Sequence, residues 1–337
     1  MATPIREIDG GAFGDPERFR AEVAERCEPV IVRNLVSDWP VLLAASASPE
    51  ALRDYLGRFA EGSAVGTFVG APEIAGRYSY GERLEGFNFE HRDLPLLDAL
   101  DHVLRSAAQP DAPTYYAGSL DTDRFLPGFS AENRVAAVPS TVGPRIWIGN
   151  ASRVECHNDT FDNIAIVVAG RRRFTLYPPD AIADLYIGPI DHTMAGRPTS
   201  LAAASQAFDP RYPRFEKVRG LSTTAELEPG DAIYIPKLWW HQVEATAPFN
   251  ILVNYWWDAF SQGPDAPYTS MMLAMIGIAE RPEAERAAWR AQFDHYVFRP
   301  EGHPLAHLPE AQRGILGPVR SNYGRIRALV MQMLRGA

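Results

Sequence analysis

Hydrophobic positions along the chain fall into three regimes, and each implies a different architecture. Up to about residue 60 the apolar residues recur at helical intervals around one short strand. Asp15-Pro16 sets a capping carboxylate before a proline suited to the first helical position, and Phe19, Val23 and Cys27 then share a face. Pro29 to Asn34 reads as a short β-branched strand, and a second helix opens at Ser48-Pro49 with Leu52, Tyr55, Leu56 and Phe59 at helical spacing. Glycines and aromatics scattered from Ala64 to Phe89 suggest hairpins, and Leu94 to Leu104 is again apolar at helical intervals. From residue 115 to 257 the pattern becomes strand-like, punctuated at Pro127-Gly128, Gly143-Pro144, Pro178-Pro179 and Pro229-Gly230. After Phe260 it turns helical once more: Met271 to Ile278 is densely apolar, Trp289, Phe293 and Val297 follow, and Ile326, Leu329, Val330, Met333 and Leu334 make a terminal stripe. The expected organisation is a flanking region over 1–114, a β core over 115–259 and a helical region over 260–337.

Composition narrows the function classes. A chain of 337 residues with 46% apolar content can bury a sizeable core. No apolar run reaches membrane-spanning length and the N-terminus lacks a signal-type block, so a cytoplasmic location is the default expectation. Two cysteines, Cys27 and Cys156, make no disulfide framework, and strand alternation turns Cys156 away from its neighbour His157 and into packing. A net charge of −9 argues against nucleic acid as a partner while remaining compatible with a basic protein or peptide. The segment from Asp180 to Arg219, with Asp191-His192 and the small residues Ser200 to Ala207, is long for a connection and is expected to cover the mouth of the core and help choose the substrate.

Candidate chemistry centres on Trp147 to Asp180. His157 and Asp159 stand two residues apart, so in extended backbone both face the same way and could grip one ion. A third ligand is available 84 residues later (241 − 157) at His241, which follows the turn Glu228-Pro-Gly-Asp231 and the alternating segment ending in Pro236. Two histidines and one carboxylate with an open face make the facial triad of non-haem Fe(II) oxygenases. Within Arg171-Arg172-Arg173, alternation puts Arg172 on the same face as Phe174 and Leu176, an inward charge that requires an anionic partner.

These segments resemble the JmjC-type, cupin-like 2-oxoglutarate dioxygenases, and in particular the bacterial cupin-like relatives of the asparaginyl hydroxylase that inhibits hypoxia-inducible factor. The likeness is carried by Ile146-Trp-Ile-Gly149, His157-Asn-Asp159, Asn163, Gly170-Arg-Arg-Arg-Phe-Thr-Leu-Tyr-Pro-Pro-Asp180, Gly230-Asp-Ala-Ile-Tyr-Ile-Pro-Lys-Leu-Trp-Trp-His241 and Val253-Asn-Tyr-Trp256. It continues upstream through Pro29 to Asn34, Trp39-Pro40, Phe87-Asn-Phe89 and Tyr115 to Leu120. The resemblance implies a mainly β fold, a double-stranded β-helix (jelly-roll) with flanking helices and a C-terminal helical region. It also implies Fe(II) on His157, Asp159 and His241, with 2-oxoglutarate and O2 as co-substrates. Arg172 falls where relatives carry a lysine facing the distal carboxylate of 2-oxoglutarate, with Arg173 as an alternative. Asn163, Asn254 and Tyr116, or its neighbour Tyr115, fall near the same co-substrate. Val154 departs from the family, whose members often carry threonine there. The activity implied is hydroxylation, or demethylation, of a protein, peptide or small-molecule substrate, with a possible homodimer through the C-terminal helices. A non-catalytic metal- or small-acid-binding sensor is the alternative.

Overall fold

Helix starts are set by local capping. In the computed structural model, which describes residues 4–336 apart from 82–84, 110, 194–195, 205–207, 262 and 264, the chain enters through strand β1 (Arg6–Ile8) and helix α1 (Pro16–Glu22). The Asp15 carboxylate accepts the Arg18 backbone N–H at 2.8 Å, with proline at the first helical position. The helix ends at Glu22, so Phe19 and Val23 are buried while Cys27 sits exposed in a left-handed turn. After β2 (Val30–Val32) come α2 (Pro40–Ala47) and α3 (Pro49–Gly57). Ser48 caps α3, whose Leu52, Tyr55 and Leu56 are buried.

The next strands are β3 (Ala64–Gly70), β4 (Arg77–Tyr78) and β5 (Glu90–Pro95). They are followed by α4 (Leu96–Ala107), β6 (Thr114–Asp121) and the single turns α5 (Thr122–Phe125) and α6 (Phe129–Glu132). β3 pairs with both β5 and β6, so the sheet runs unbroken across residue 114.

Two long strands organise the core. β7 (Arg145–His157) and β12 (Trp240–Trp257) run antiparallel to each other over nearly their full length. The first part of β12 also pairs with β9 (Arg172–Tyr177), itself paired with β10 (Thr223–Leu227). Its last part pairs with β8 (Asp162–Ala169), and then come β11 (Ala232–Ile235), β2 and β1. A register shift between Ala245 and Phe249 bends the long strands from one sheet into the other. The result is a jelly roll with flanking helices, and Ile31, Val167, Phe174, Leu176, Leu227, Ile233 and Leu252 from facing strands fill one end of it.

The segment after β9 is a packed layer rather than a bare loop. Together with α7 (Phe215–Arg219), its Leu185, Ala202, Ala203, Phe215 and Val218 pack against Cys156, Tyr177 and Trp240. Of the small-residue run, Ser205 to Ala207 lie outside the described residues.

The chain divides into two compact units at Ala259/Phe260. The second contains α8 (Pro267–Ile278), α9 (Glu283–Phe293) and α10 (Val319–Gly336), none of which buries a residue. Among the described residues no helix is long and apolar enough to cross a membrane.

Candidate metal centre and anion pocket

The open end of the jelly roll brings together the last residue of β7, the turn after it and the start of β12. His157 and His241 are directly opposed in the β7–β12 register, and the Leu238 backbone N–H donates to the Asp159 carbonyl at 2.8 Å, holding the turn that carries Asp159 beside them. His157, Asp159 and His241 can each offer one ligand atom, all within 4.8 Å of one another. The Nδ1 of His157 faces the Glu155 carbonyl at 2.8 Å and that of His241 faces the Trp239 carbonyl at 3.0 Å. A carbonyl only accepts, so both rings hold their proton on Nδ1 and turn Nε2 toward the cluster. Burial and the neighbouring His157 push the His241 imidazole down to about 4, which keeps it neutral, the form a metal requires. The Asp159 Oδ2 is buried with no hydrogen-bond partner among the described residues, an orphan anion that a cation would satisfy.

A small cavity of about 60 Å³ continues inward from these residues, and Arg172, Asn163, Asn254, Tyr116, Trp147 and Val154 line it. Arg172 is 2% exposed, and its Nε and Nη2 have no hydrogen-bond partner among the described residues. Desolvation lowers its pKa, opposed only by the Tyr116 hydroxyl nearby. Burial in turn pushes Tyr116 up to about 12. A desolvated, unpaired guanidinium at the bottom of a cavity fits a carboxylate and little else. The residues present therefore fit both a divalent cation and a dicarboxylate beneath it.

Arg173 corrects the alternative anchor. Its side chain is on the outer face of β9, at 2.5 Å from Glu226 and 3.6 Å from Glu244, because successive residues of a strand point to opposite faces. Tyr115 likewise faces away, stacked on His102 at 4.8 Å. His192 is not part of the cluster and stacks on Phe87 at 5.4 Å. Asn163 and Asn254 bond each other at 3.0 Å, and Asn254 accepts the Trp147 indole N–H at 2.7 Å, so their amides both satisfy one another and face the cavity.

Two supports carry no sequence signature. Asp162, 1% exposed, accepts from the Tyr234 hydroxyl at 2.8 Å, pairs with Lys237 at 3.2 Å and accepts the Ala259 N–H at 3.0 Å, tying the turn before His241 to the start of β8. Arg153 spans Glu155 at 3.4 Å, the Gln242 side chain at 2.8 Å and the Ala203 carbonyl at 2.8 Å, clamping the covering layer onto β7 and β12. Apart from Glu155, two residues from Arg153, the partners lie far away in sequence, and only the folded chain brings them together.

The fold and this site define a cupin-like domain, and a family model described as the cupin-like domain matches residues 16–263, most of the chain. The chain belongs to that family. Among curated relatives it is 30% identical over 151 residues to human HSPB1-associated protein 1, covering 42% of this chain and 30% of that protein. It is 34% identical over 114 residues to Lysine-specific demethylase JMJ31 of Arabidopsis thaliana, covering 34% of this chain and 20% of that one. To the human Bifunctional peptidase and (3S)-lysyl hydroxylase JMJD7 it is 27% identical over 262 residues, covering 68% of this chain and 77% of that one. The aligned stretch spans about a third of the length of HSPB1-associated protein 1.

Proposed function

We propose that the chain is an Fe(II)- and 2-oxoglutarate-dependent dioxygenase that hydroxylates, or demethylates, a protein, peptide or small-molecule substrate. One observation carries the reading: three convergent metal-ligand side chains stand at the mouth of a small cavity whose floor is an unpaired, buried guanidinium. His157, Asp159 and His241 would hold Fe(II), and Arg172 would take the distal carboxylate of 2-oxoglutarate bidentately. Bound there, Fe(II) and 2-oxoglutarate with O2 supply an oxidant for a substrate C–H bond, and 2-oxoglutarate is consumed to succinate and CO2. The protein's own work is placement: the Nδ1 contacts fix the two imidazoles, the Asn163–Asn254–Trp147 chain stiffens the cavity wall, and burial excludes water. The names of two relatives, a demethylase and a lysyl hydroxylase, support this class of chemistry. The exposed apolar faces of α8 and α10 support a homodimer formed through the C-terminal helices.

Val154 favours a second reading, a non-catalytic sensor of metal or small acid, since it lines the cavity with methyl groups and offers a co-substrate no hydrogen bond. Purified chain with Fe(II), 2-oxoglutarate and O2 separates the two. Succinate release without added substrate, lost in His157→Ala, is expected of the enzyme. Metal-loaded protein that neither releases succinate nor binds 2-oxoglutarate in calorimetry would favour the sensor.

A further inference from the structure

The loop that delivers His241 holds one residue in a conformation its side chain disfavours. Pro236, Lys237, Leu238 and Trp239 form a turn closed by the Trp239 N–H on the Pro236 carbonyl at 3.3 Å, and Leu238, third in that turn, has φ 69°. Positive φ at the third residue is the type II pattern, where glycine or asparagine is the ordinary occupant because a Cβ is crowded there. Leucine has no packing reason to take the position, since its side chain is 47% exposed. Backbone strain of this kind persists only where the surroundings over-determine it.

Three fastenings do so. The Leu238 N–H donates to the Asp159 carbonyl at 2.8 Å, and the Trp239 indole N–H donates to the Cys27 carbonyl at 2.9 Å. Between them the Lys237 ammonium reaches Asp162 at 3.2 Å and also pairs with Asp258. Asp162 opens β8 just after the turn that carries Asp159, and Lys237 lies on the turn before His241, so this ion pair joins the segments that supply two of the three ligands. A reason for the clasp follows from the ligand atoms themselves. The Asp159 Oδ2 lies 3.7 Å from the His241 Nε2, and with the imidazole proton on Nδ1 two lone-pair atoms face each other with no hydrogen between them. They repel, and a loose turn would let them part.

We propose that Lys237 is a positioning residue for the metal centre: with Asp162 it clasps the 236–239 turn onto the turn of Asp159 and sets the Asp159–His241 separation before a cation arrives. The cation rests on the dioxygenase reading; the clasp belongs to the chain alone.

Two readouts on the full chain test this without turnover. One is hydrogen exchange at the Leu238 amide of the metal-free chain, resolved by mass spectrometry with fragmentation. The other uses Co(II) as the probe, its affinity read by calorimetry and its coordination by its visible absorption bands. Lys237→Met is expected to exchange at Leu238 at least tenfold faster, to bind Co(II) at least tenfold more weakly and to shift the bands. Lys237→Arg, which keeps the ion pair, is expected to restore all three. Asp162→Asn removes the charge opposite Lys237 and is expected to repeat the losses, and it decides the matter if Lys237→Met does not fold. Arg33→Met breaks the 2.7 Å pair with Asp231 at the other end of β11, and is expected to lower the melting temperature while leaving Leu238 exchange and Co(II) binding at wild-type values. Wild-type exchange and Co(II) affinity in folded Lys237→Met or Asp162→Asn overturns the clasp, as does an equal loss of Co(II) affinity in Arg33→Met, which would make global stability the cause. Faster exchange in Lys237→Met, in a chain whose wild type binds no Co(II), would remove the metal reading and leave the clasp standing.

Discussion

A guanidinium taken out of water without an anion is unstable in a folded chain until something arrives to meet it, and Arg172 is in that position. Removing the charge therefore has opposite effects on stability and binding. Arg172→Met is expected to raise the stability of the ligand-free chain by about 1–4 kcal/mol, because an apolar side chain of similar length replaces an uncompensated buried cation. The same change is expected to weaken 2-oxoglutarate binding by about 2–5 kcal/mol, roughly 30-fold or more. Thermal melts with and without 2-oxoglutarate check both at once: the wild type gains from the ligand and the variant does not. A ligand-induced shift that survives in Arg172→Met would remove Arg172 from the anchor role. Arg173→Ala, on the solvent side of β9 with Glu226, is expected to bind 2-oxoglutarate like the wild type. That contrast was legible in the sequence, because alternation along a strand needs only the identities of Phe174 and Leu176 to say which arginine points inward. The Asp159 oxygen left without a partner among the described residues was not, since an unmet hydrogen bond exists only once the neighbours are placed.

At the level of elements, the readable ones carried their own caps or their own period. Asp15-Pro16 and Ser48-Pro49 announced α1 and α3, and the β-branched run at Pro29 announced β2. α2 is apolar almost all round, with Val41 and Leu42 buried but Leu43 58% exposed, so it has no stripe to detect. β5 is a sheet edge opening with the polar run Glu90-His-Arg-Asp93, and Leu94, where the helical spacing begins, is its penultimate residue. The bend at the site was equally hidden. His241 pairs with His157 and Val243 with Val154, so one extra residue bulges from β7 and turns Val154 and His157 toward the same cavity, where alternation alone would part them. Arg153 locks the covering layer onto this bulge. Arg153→Met would leave the Glu155 carboxyl buried without its cation and the Ala203 carbonyl without its donor, and is expected to destabilise the chain by about 3–5 kcal/mol in denaturant titration. Arg153→Met combined with Glu155→Met is expected to recover much of that loss, since it removes both charges together. No recovery in the double variant would mean that the contact to the covering layer, rather than the charge pair, holds this region.

At the scale of the whole molecule, the two units differ in how they treat apolar surface. The unit up to Ala259 buries most of its hydrophobic residues in the jelly roll and around it, while the unit from Phe260 leaves Met275, Ile276, Phe298, Leu329, Met333 and Leu334 at 40% exposure or more. Ile326, Leu329, Val330 and Met333 recur at the intervals of one helix face, so on α10 the exposed apolar residues form a stripe rather than a scatter. A stripe on a helix is self-complementary under a two-fold axis, the commonest symmetry for closed assemblies, and a second copy of the chain supplies the matching surface at no further cost in sequence. The full chain is accordingly expected to elute at twice the chain mass in size exclusion with light scattering. Leu329→Glu with Met333→Glu places two carboxylates on each side of the proposed contact and is expected to give a folded monomer. Metal and 2-oxoglutarate affinity should be unchanged in that variant, because every residue assigned to the site belongs to the first unit. A wild-type chain that remains monomeric at high concentration would assign the stripe to a different partner, and a charged double variant that stays dimeric would move the interface off α10.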